Sequence, residues 1–400
     1  MTHAPLPVVR LKPKTDARRL RFGHPWVYDN ELVTDRRTKA IAPGSLAVVE
    51  DAGRQVIGLA AINPNSKLFA RLLDPNPETV IDQAWFAAKL TTALAHRDRM
   101  FAEPFYRLIH AEADGLPGVI IDRFGDTIVI QPNAAWADTR VDELAAAVVD
   151  VTKVSNVLKN AAGRARSLEG LDDESAVLHG AAPTGPVPVP MNGAVYMADL
   201  TGGQKTGLFF DQRPNQAFLQ SISKDARVLD VFSHVGGFGL AALAAGADSA
   251  IAVDGSEAAL DLATQGAAAM GKDGQFSTQK GDAFDVMAQL TTDAATFDVV
   301  ICDPPAFAPS RKSLEAGLRA YEKTAKMASA LAAPQGYLVL CSCSHAAELS
   351  KFQAACTRGI GRAGRQAQLI HTGYAGADHP LMPALAESGY LKALFFRMLD

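Results

Sequence analysis

"RVLDVFSHVGGFGLAALAAGADSAIAVDG", residues 227–255, decides the fold. Its first six residues are an apolar run interrupted by Asp230, which reads as a strand. A turn follows, then GGFGLAALAAG (236–246) as a helix and SAIAVDG (249–255) as a second strand. Strand, glycine turn, helix and strand in this order make a βαβ unit. Gly236 and Gly237 at the first turn let a ligand approach the backbone, and a helix start offers N–H groups. Asp254 closes the second strand, at the place where an acid hydrogen-bonds ribose hydroxyls.

The alternation continues outward. EAALDLATQGAAAM (257–270) is a helix, and KGDAF puts Asp282 after a third strand, near where an adenine would lie. FDVVICDPP (297–305) is a strand, LRAYEKTAKMASALAA (318–333) a helix and GYLVLCSCS (336–344) a strand. ELSKFQAACTRGIGRAG (348–364) is a helix and YLKALFFRML (390–399) a last strand. The pattern predicts an α/β fold with a doubly wound, mostly parallel sheet over 191–400, binding its ligand beyond the carboxyl ends of the strands. A nicotinamide cofactor fits poorly, because the spacing G-x-G-x-x-G is absent. CDPPAF after the fourth strand instead suits an enzyme of flat bases, with two prolines as a rigid wall that aims Asp303.

The pair in CSCSH (341–345) is unusual in a chain with four cysteines, Cys302, Cys341, Cys343 and Cys356. Metal ligands, packing and a nucleophile are the readings open. C-x-C-x-H without a second paired cluster is not a strong zinc spacing, so no metal is expected. By period 2 both side chains share a strand face, Cys341 one pleat deeper.

The length of 400 residues favours two or three domains. Residues 8–74 read as short strands and turns, a β-barrel-like module, with DPNPET (74–79) as its boundary. IDQAWFAAKLTTALAHRDRM (81–100) has helical spacing. Residues 106–131 look like two strands joined by RFGD, a helix follows at about 138–150, and SNVLKN and ESAVLHG read as further strands. AAPTGPVPVPMNG (181–193) reads as a linker or edge segment. The division expected is 1–75, a small α+β middle domain over 76–190, and 191–400. Net charge is −4, yet the first 74 residues carry 12 Lys and Arg against 7 Asp and Glu. A basic head on an acidic body suits a protein that holds a polyanion at one end, although a solvated basic face gives the same count. The N-terminus has no secretory pattern and no apolar run could span a bilayer, so the expectation is a cytoplasmic protein with no membrane partner.

DLTGGQKTGLFFDQRPNQ (199–216), LDVFSHVGGFG (229–239), CDPPAFA (302–308), CSCS (341–344) and ADHPLMP (377–383) resemble the ribosomal RNA large subunit methyltransferase I family. The resemblance extends over nearly the whole chain and implies a class I (Rossmann-like), S-adenosyl-L-methionine-dependent enzyme forming 5-methylcytosine in 23S rRNA. The head, with FGHPWVYDNEL, is similar to that family's PUA domain, an RNA-binding barrel. By this analogy Cys343 is the nucleophile, Asp303 orients and protonates the base, and Cys341 is packing. The resemblance further implies a cofactor site from Phe210, Gln212, Arg213, Asp230, Phe232, Ser233, Gly236, Gly237, Asp254, Ser256, Asp282, Ala283, Asp303 and Pro304. RNA contacts are expected from Arg18, Arg19, Arg21, Trp26 and Lys205, though Trp26 is equally suited to a core. Tyr321 and His379 are candidates to line the base slot, and His234 is expected to pack or bond backbone rather than act.

Many RNA cytosine-C5 methyltransferases carry a second cysteine after the fourth strand. Ala306 stands there instead, and Cys302 precedes the acid, which leaves the base for the C5 proton unassigned. Two alternatives remain: an amino-methyltransferase acting on an RNA purine, whose motif places an aromatic directly after the second proline, and a non-catalytic RNA-binding assembly factor. The oligomeric state is left open, a homodimer included.

Overall fold

The computed structural model describes residues 5–202 and 207–400, and the chain falls into two compact units. One holds residues 5–184, 200–202 and 378–388; the other holds 185–199, 207–377 and 389–400.

The second unit carries the alternation. Its large sheet has strands β1 (Arg227–Val231), β2 (Ser249–Asp254), β3 (Phe276–Lys280), β4 (Phe297–Cys302), β5 (Ala332–Ser342), β6 (Ala367–Gly373) and β7 (Lys392–Met398). The spatial order is β3-β2-β1-β4-β5-β7-β6. All neighbours from β3 to β5 run parallel, while β7 is antiparallel to β5 and to β6. The order reverses between β1 and β4, and such a switch point opens a crevice at the strand ends. Helices α1 (Arg213–Gln220), α2 (Gly237–Ala244), α3 (Glu257–Ala269), α4 (Ala283–Thr292), α5 (Leu314–Leu331) and α6 (Leu349–Arg362) connect the strands. A parallel sheet covered on both faces demands side chains that are apolar whichever way they point. β1 and β4 meet that demand: Val228, Leu229, Val231, Val299, Val300 and Ile301 are all buried. α5 and α6 come so close that a Cβ at Gly359 would overlap the carbonyl oxygen of Glu322, so only glycine fits there.

In the first unit the N-terminal module is a five-stranded sheet built from Val8–Arg10, Trp26–Val27, Ser45–Glu50, Val56–Ile62 and Ala70–Asp74. Its core is Val9, Leu11, Val27, Leu32, Val49 and Ile62. A second five-stranded sheet, spanning Phe105–His110 to Ala176–His179, packs against helices Gln83–Met100 and Val141–Thr152. Phe86 and Trp136 stack in that core with centroids 5.9 Å apart, and Leu59, Ala61 and Leu73 of the module join the same cluster. The segment 378–388 is bound into this unit through Asp378. Its carbonyl accepts from the buried Arg97 at 3.1 Å, and its carboxylate accepts the Arg107 N–H at 3.1 Å. Arg97 is itself paired with Asp114 at 2.7 Å.

Three points refine the expectations. Residues 181–193, expected as a linker or edge, supply an edge: Val187–Met191 and Ala194–Ala198 form a two-stranded hairpin. Asn192 and Gly193 both have positive φ, as a two-residue turn of this kind requires. Pro188 and Pro190 are tolerated because they alternate outward on a strand with one neighbour. Second, the hairpin about RFGD pairs Val119–Phe124 with Thr127–Pro132, and Phe105–His110 is a third strand alongside. Third, β6 has no counterpart among the expected strands: it is a half-exposed edge strand whose polar residues hide the alternation.

Candidate active site

β1 ends in a turn of backbone conformations that side chains rarely adopt. Phe232, His234 and Gly236 all have positive φ, at 62°, 50° and 77°. Two non-glycine residues held there store local strain, which is characteristic of ligand-binding turns. The turn is fixed by Ser233 N–H to Val253 O at 3.0 Å and by Gly236 N–H to Ser233 O at 2.9 Å. Asp230 is fully buried, and its Oδ2 accepts from the N–H groups of Phe238 and Gly239 at 3.1 and 2.8 Å, capping α2. Burial, above all, pushes its carboxyl up to about 7. Asp254 accepts the His234 N–H at 2.9 Å and the Ser256 N–H at 2.8 Å, so it braces the turn. His234 bonds through its backbone as expected, and its ring lies edge-on to Phe209.

Ser256 and Asp282 are helix caps: Ser256 Oγ accepts from Ala259 N–H, and Asp282 Oδ1 from Phe284 and Asp285 N–H. Ala283 is buried behind that cap. Phe232, Phe284 and Phe307 form an aromatic trio with centroids 6.2 to 6.4 Å apart. Phe210 is buried under the Arg213 guanidinium, 5.6 Å from its centroid.

Does this frame fit S-adenosyl-L-methionine? Among the described residues, Ser233 Oγ and Asp230 Oδ1 are buried polar atoms without a hydrogen-bond partner, both at the carboxyl end of β1. Buried polar atoms rarely stay unpaired, so a polar ligand or water belongs there. The residues fit the group: orphaned polar atoms at the end of β1, the N-terminus of α2 beside them, and an aromatic trio.

Asp303 stands where β4 ends, its N–H bonded to Val231 O at 3.2 Å. Gln212 Nε2 donates to Asp303 Oδ2 at 2.9 Å, and Asn215 Nδ2 donates to Gln212 Oε1 at 2.6 Å. Gln212, expected at the cofactor, therefore also orients the acid. Pro304 is buried, and its carbonyl is the acceptor for Cys343 Sγ at 4.0 Å.

The four thiols divide sharply. Cys302, Cys341 and Cys356 are buried, and burial raises all three above the ordinary thiol range. Cys343 alone is partly exposed, one residue past the end of β5. Both its neighbours are pinned by the buried Tyr321. The Tyr321 hydroxyl lies 2.7 Å from Ser344 Oγ and accepts from Ser342 Oγ at 2.8 Å. Ser344 Oγ also accepts the Ala308 N–H at 2.9 Å, tying the loop to the one after the prolines. Tyr321 thus fixes the loop that carries Cys343. His379 is in the first unit, buried with Nδ1 3.0 Å from Asp378 and its ring on His110. Among the described residues no group of three metal-ligating side chains occurs.

In the N-terminal module, Arg18 and Arg21 are exposed, and Arg21 pairs with Asp51 at 2.7 Å. Arg19 is committed to Glu31, both carboxylate oxygens lying 2.6 Å from Nη2. Trp26 is half-buried and donates from Nε1 to Glu112 at 2.9 Å. Lys205 lies outside the described residues. Sequence reasoning missed Phe22, which is 80% exposed directly after Arg21. It also missed Lys392, the buried cation at the start of the largely apolar β7, where Arg397 is the exposed one.

Residues 9–75 match a family described as PUA-like domain, and residues 161–397 match one described as S-adenosylmethionine-dependent methyltransferase. The chain is 34% identical over 403 residues to the ribosomal RNA large subunit methyltransferase I of Shewanella denitrificans, covering 98% of this chain and 99% of that one. It is 34% identical over 405 residues to a ribosomal RNA large subunit methyltransferase of Deinococcus radiodurans, covering 98% of each. In fold it is similar to a SAM-dependent methyltransferase structure from Streptococcus mutans, with a TM-score of 0.83 at 19% identity, covering 98% of this chain and 100% of that one. A methyltransferase solved in complex with SAH gives the same TM-score, identity and coverage. No helix among the described residues is long and apolar enough to cross a membrane.

Proposed function

Because the chain belongs to the ribosomal RNA large subunit methyltransferase I family of S-adenosyl-L-methionine-dependent enzymes, we propose that it methylates carbon 5 of a cytosine in 23S rRNA, with Cys343 as nucleophile. The observation that carries this reading is the contrast among the cysteines: one partly exposed thiol beyond β5, next to Pro304 and the acid before it.

Carbon 5 of cytosine is a weak nucleophile. A Cys343 thiolate adding to carbon 6 moves the ring electrons onto carbon 5 and makes it an enamine carbon. The bound cofactor supplies an electrophilic methyl group. Asp303, held by Gln212, bonds the N3 and amino edge and donates the proton that balances the ring charge. Loss of the carbon 5 proton to a base restores the double bond and expels the thiol. The turn at 232–237 and the trio Phe232, Phe284 and Phe307 hold the cofactor and keep water out, and the base enters extruded from its strand.

The direct test offers the protein 23S rRNA, naked or in particles from a strain lacking it, and analyses the digested nucleosides. The expected product is 5-methylcytidine. An N-methylated purine would place the enzyme among amino-methyltransferases, and no transfer to any RNA would leave the assembly-factor reading.

The N-terminal module is taken to hold the rRNA backbone through Arg18 and Arg21, with Phe22 offering a face for an unpaired base. The double variant Arg18→Ala/Arg21→Ala is expected to lower the slope of log affinity against log salt by about 1.5. Cofactor binding should be unaffected. An unchanged slope would show that these arginines do not meet phosphate.

A further inference from the structure

β7 places Lys392 opposite Ser342, the last residue of β5, so its side chain reaches the segment that carries the nucleophile. Lys392 is 5% exposed. Its ammonium donates to the carbonyls of Ser344 and Ala347, both at 2.8 Å. These are neutral acceptors. A charged Cys343 favours the charged form of this lysine. A buried cation without a carboxylate is costly, and proteins seldom keep one without use.

We propose that Lys392 is a positioning residue that clamps the 343–347 loop and, as its buried counter-charge, favours the thiolate of Cys343. This rests on the reading of Cys343 as nucleophile. A thiolate formed there is favoured by the charge of an ammonium that otherwise meets neutral carbonyls. Burial pushes Lys392 down to about 8, and a charged Cys343 opposes that fall. Other titratable groups nearby are Asp303 after β4, Tyr321 of α5, and His345 and Glu348 flanking the clamp. Asp303 and Glu348 are acids and disfavour a thiolate, Tyr321 is held neutral by burial, and His345 is exposed. The lysine supplies the charge of the right sign.

The test is alkylation of Cys343 by iodoacetamide between pH 6 and 10, followed on its peptide by mass spectrometry with no RNA or cofactor. Only the thiolate reacts. The wild-type inflection is expected below that of a free cysteine, about 8.5. Lys392→Met, and Lys392→Gln as a neutral variant that still donates, should each raise it by about one pH unit or more. Lys392→Arg keeps the charge and should hold it near the wild-type value. A purely structural clamp would be rescued by Gln, which distinguishes the two roles. A wild-type inflection at or above about 8.5 overturns the proposal even if no neutral variant folds, as does an unmoved inflection in a folded Met or Gln variant. Because alkylation needs no turnover, its failure is separate from failure of the nucleophile assignment, which would show as methylation by a Cys343 variant.

Discussion

Cys343→Ala is expected to abolish methyl transfer, with a loss of more than about 10⁴-fold in kcat, the scale on which removing a nucleophile is felt. Affinity for S-adenosyl-L-methionine should stay within a few-fold, because the proposed cofactor frame lies at the carboxyl ends of β1 and β2, in residues 230–237 and 254. Calorimetry with the cofactor and a labelled-methyl assay on RNA separate the two quantities. Cys341→Ala is the control, since that sulfur is 1% exposed within the core around Val339 and Phe395. The control should lose stability through a small cavity and keep its activity. Should Cys343→Ala still methylate RNA, the covalent route is wrong and the pair in CSCSH is packing alone.

Asp303→Asn should lower kcat by about 10²- to 10⁴-fold, the usual contribution of a positioned acid. The substitution is nearly isosteric, and the amide oxygen can still accept from Gln212, so the loop after β4 keeps its anchor. The loss should therefore fall on kcat with little change in cofactor affinity or melting temperature. A variant that keeps more than about a tenth of the rate would remove Asp303 from the chemistry and leave it as an orienting residue. A marked loss of cofactor affinity would move it to the cofactor site instead.

The order of elements after residue 227 was legible because a buried parallel strand has to be mostly apolar, and the interiors of β1, β2 and β4 are, Asp230 excepted. The edges were not. β6 faces its neighbour on one side only, tolerates Gln368 and Thr372, and so loses the pattern that marks a strand. In the site, residue types at strand ends pointed to Asp254, Asp303 and Cys343, because chemistry needs those types there. What bonds to what was hidden, since Gln212 meets Asp303 across 91 positions and Lys392 meets Ser344 across 48. Nor does sequence distinguish a carboxylate that binds a ligand from one that caps a helix. Ser256 and Asp282 do the second, whatever else they contact.

The excursion of residues 378–388 into the other unit has a consequence for synthesis. Neither unit is a continuous stretch of chain, so no single cut separates them into independent pieces. On a ribosome, Arg97 and Arg107 emerge long before Asp378 can reach them, and β5 emerges before the β7 strand that pairs with it. Each unit therefore waits for a segment made after part of the other.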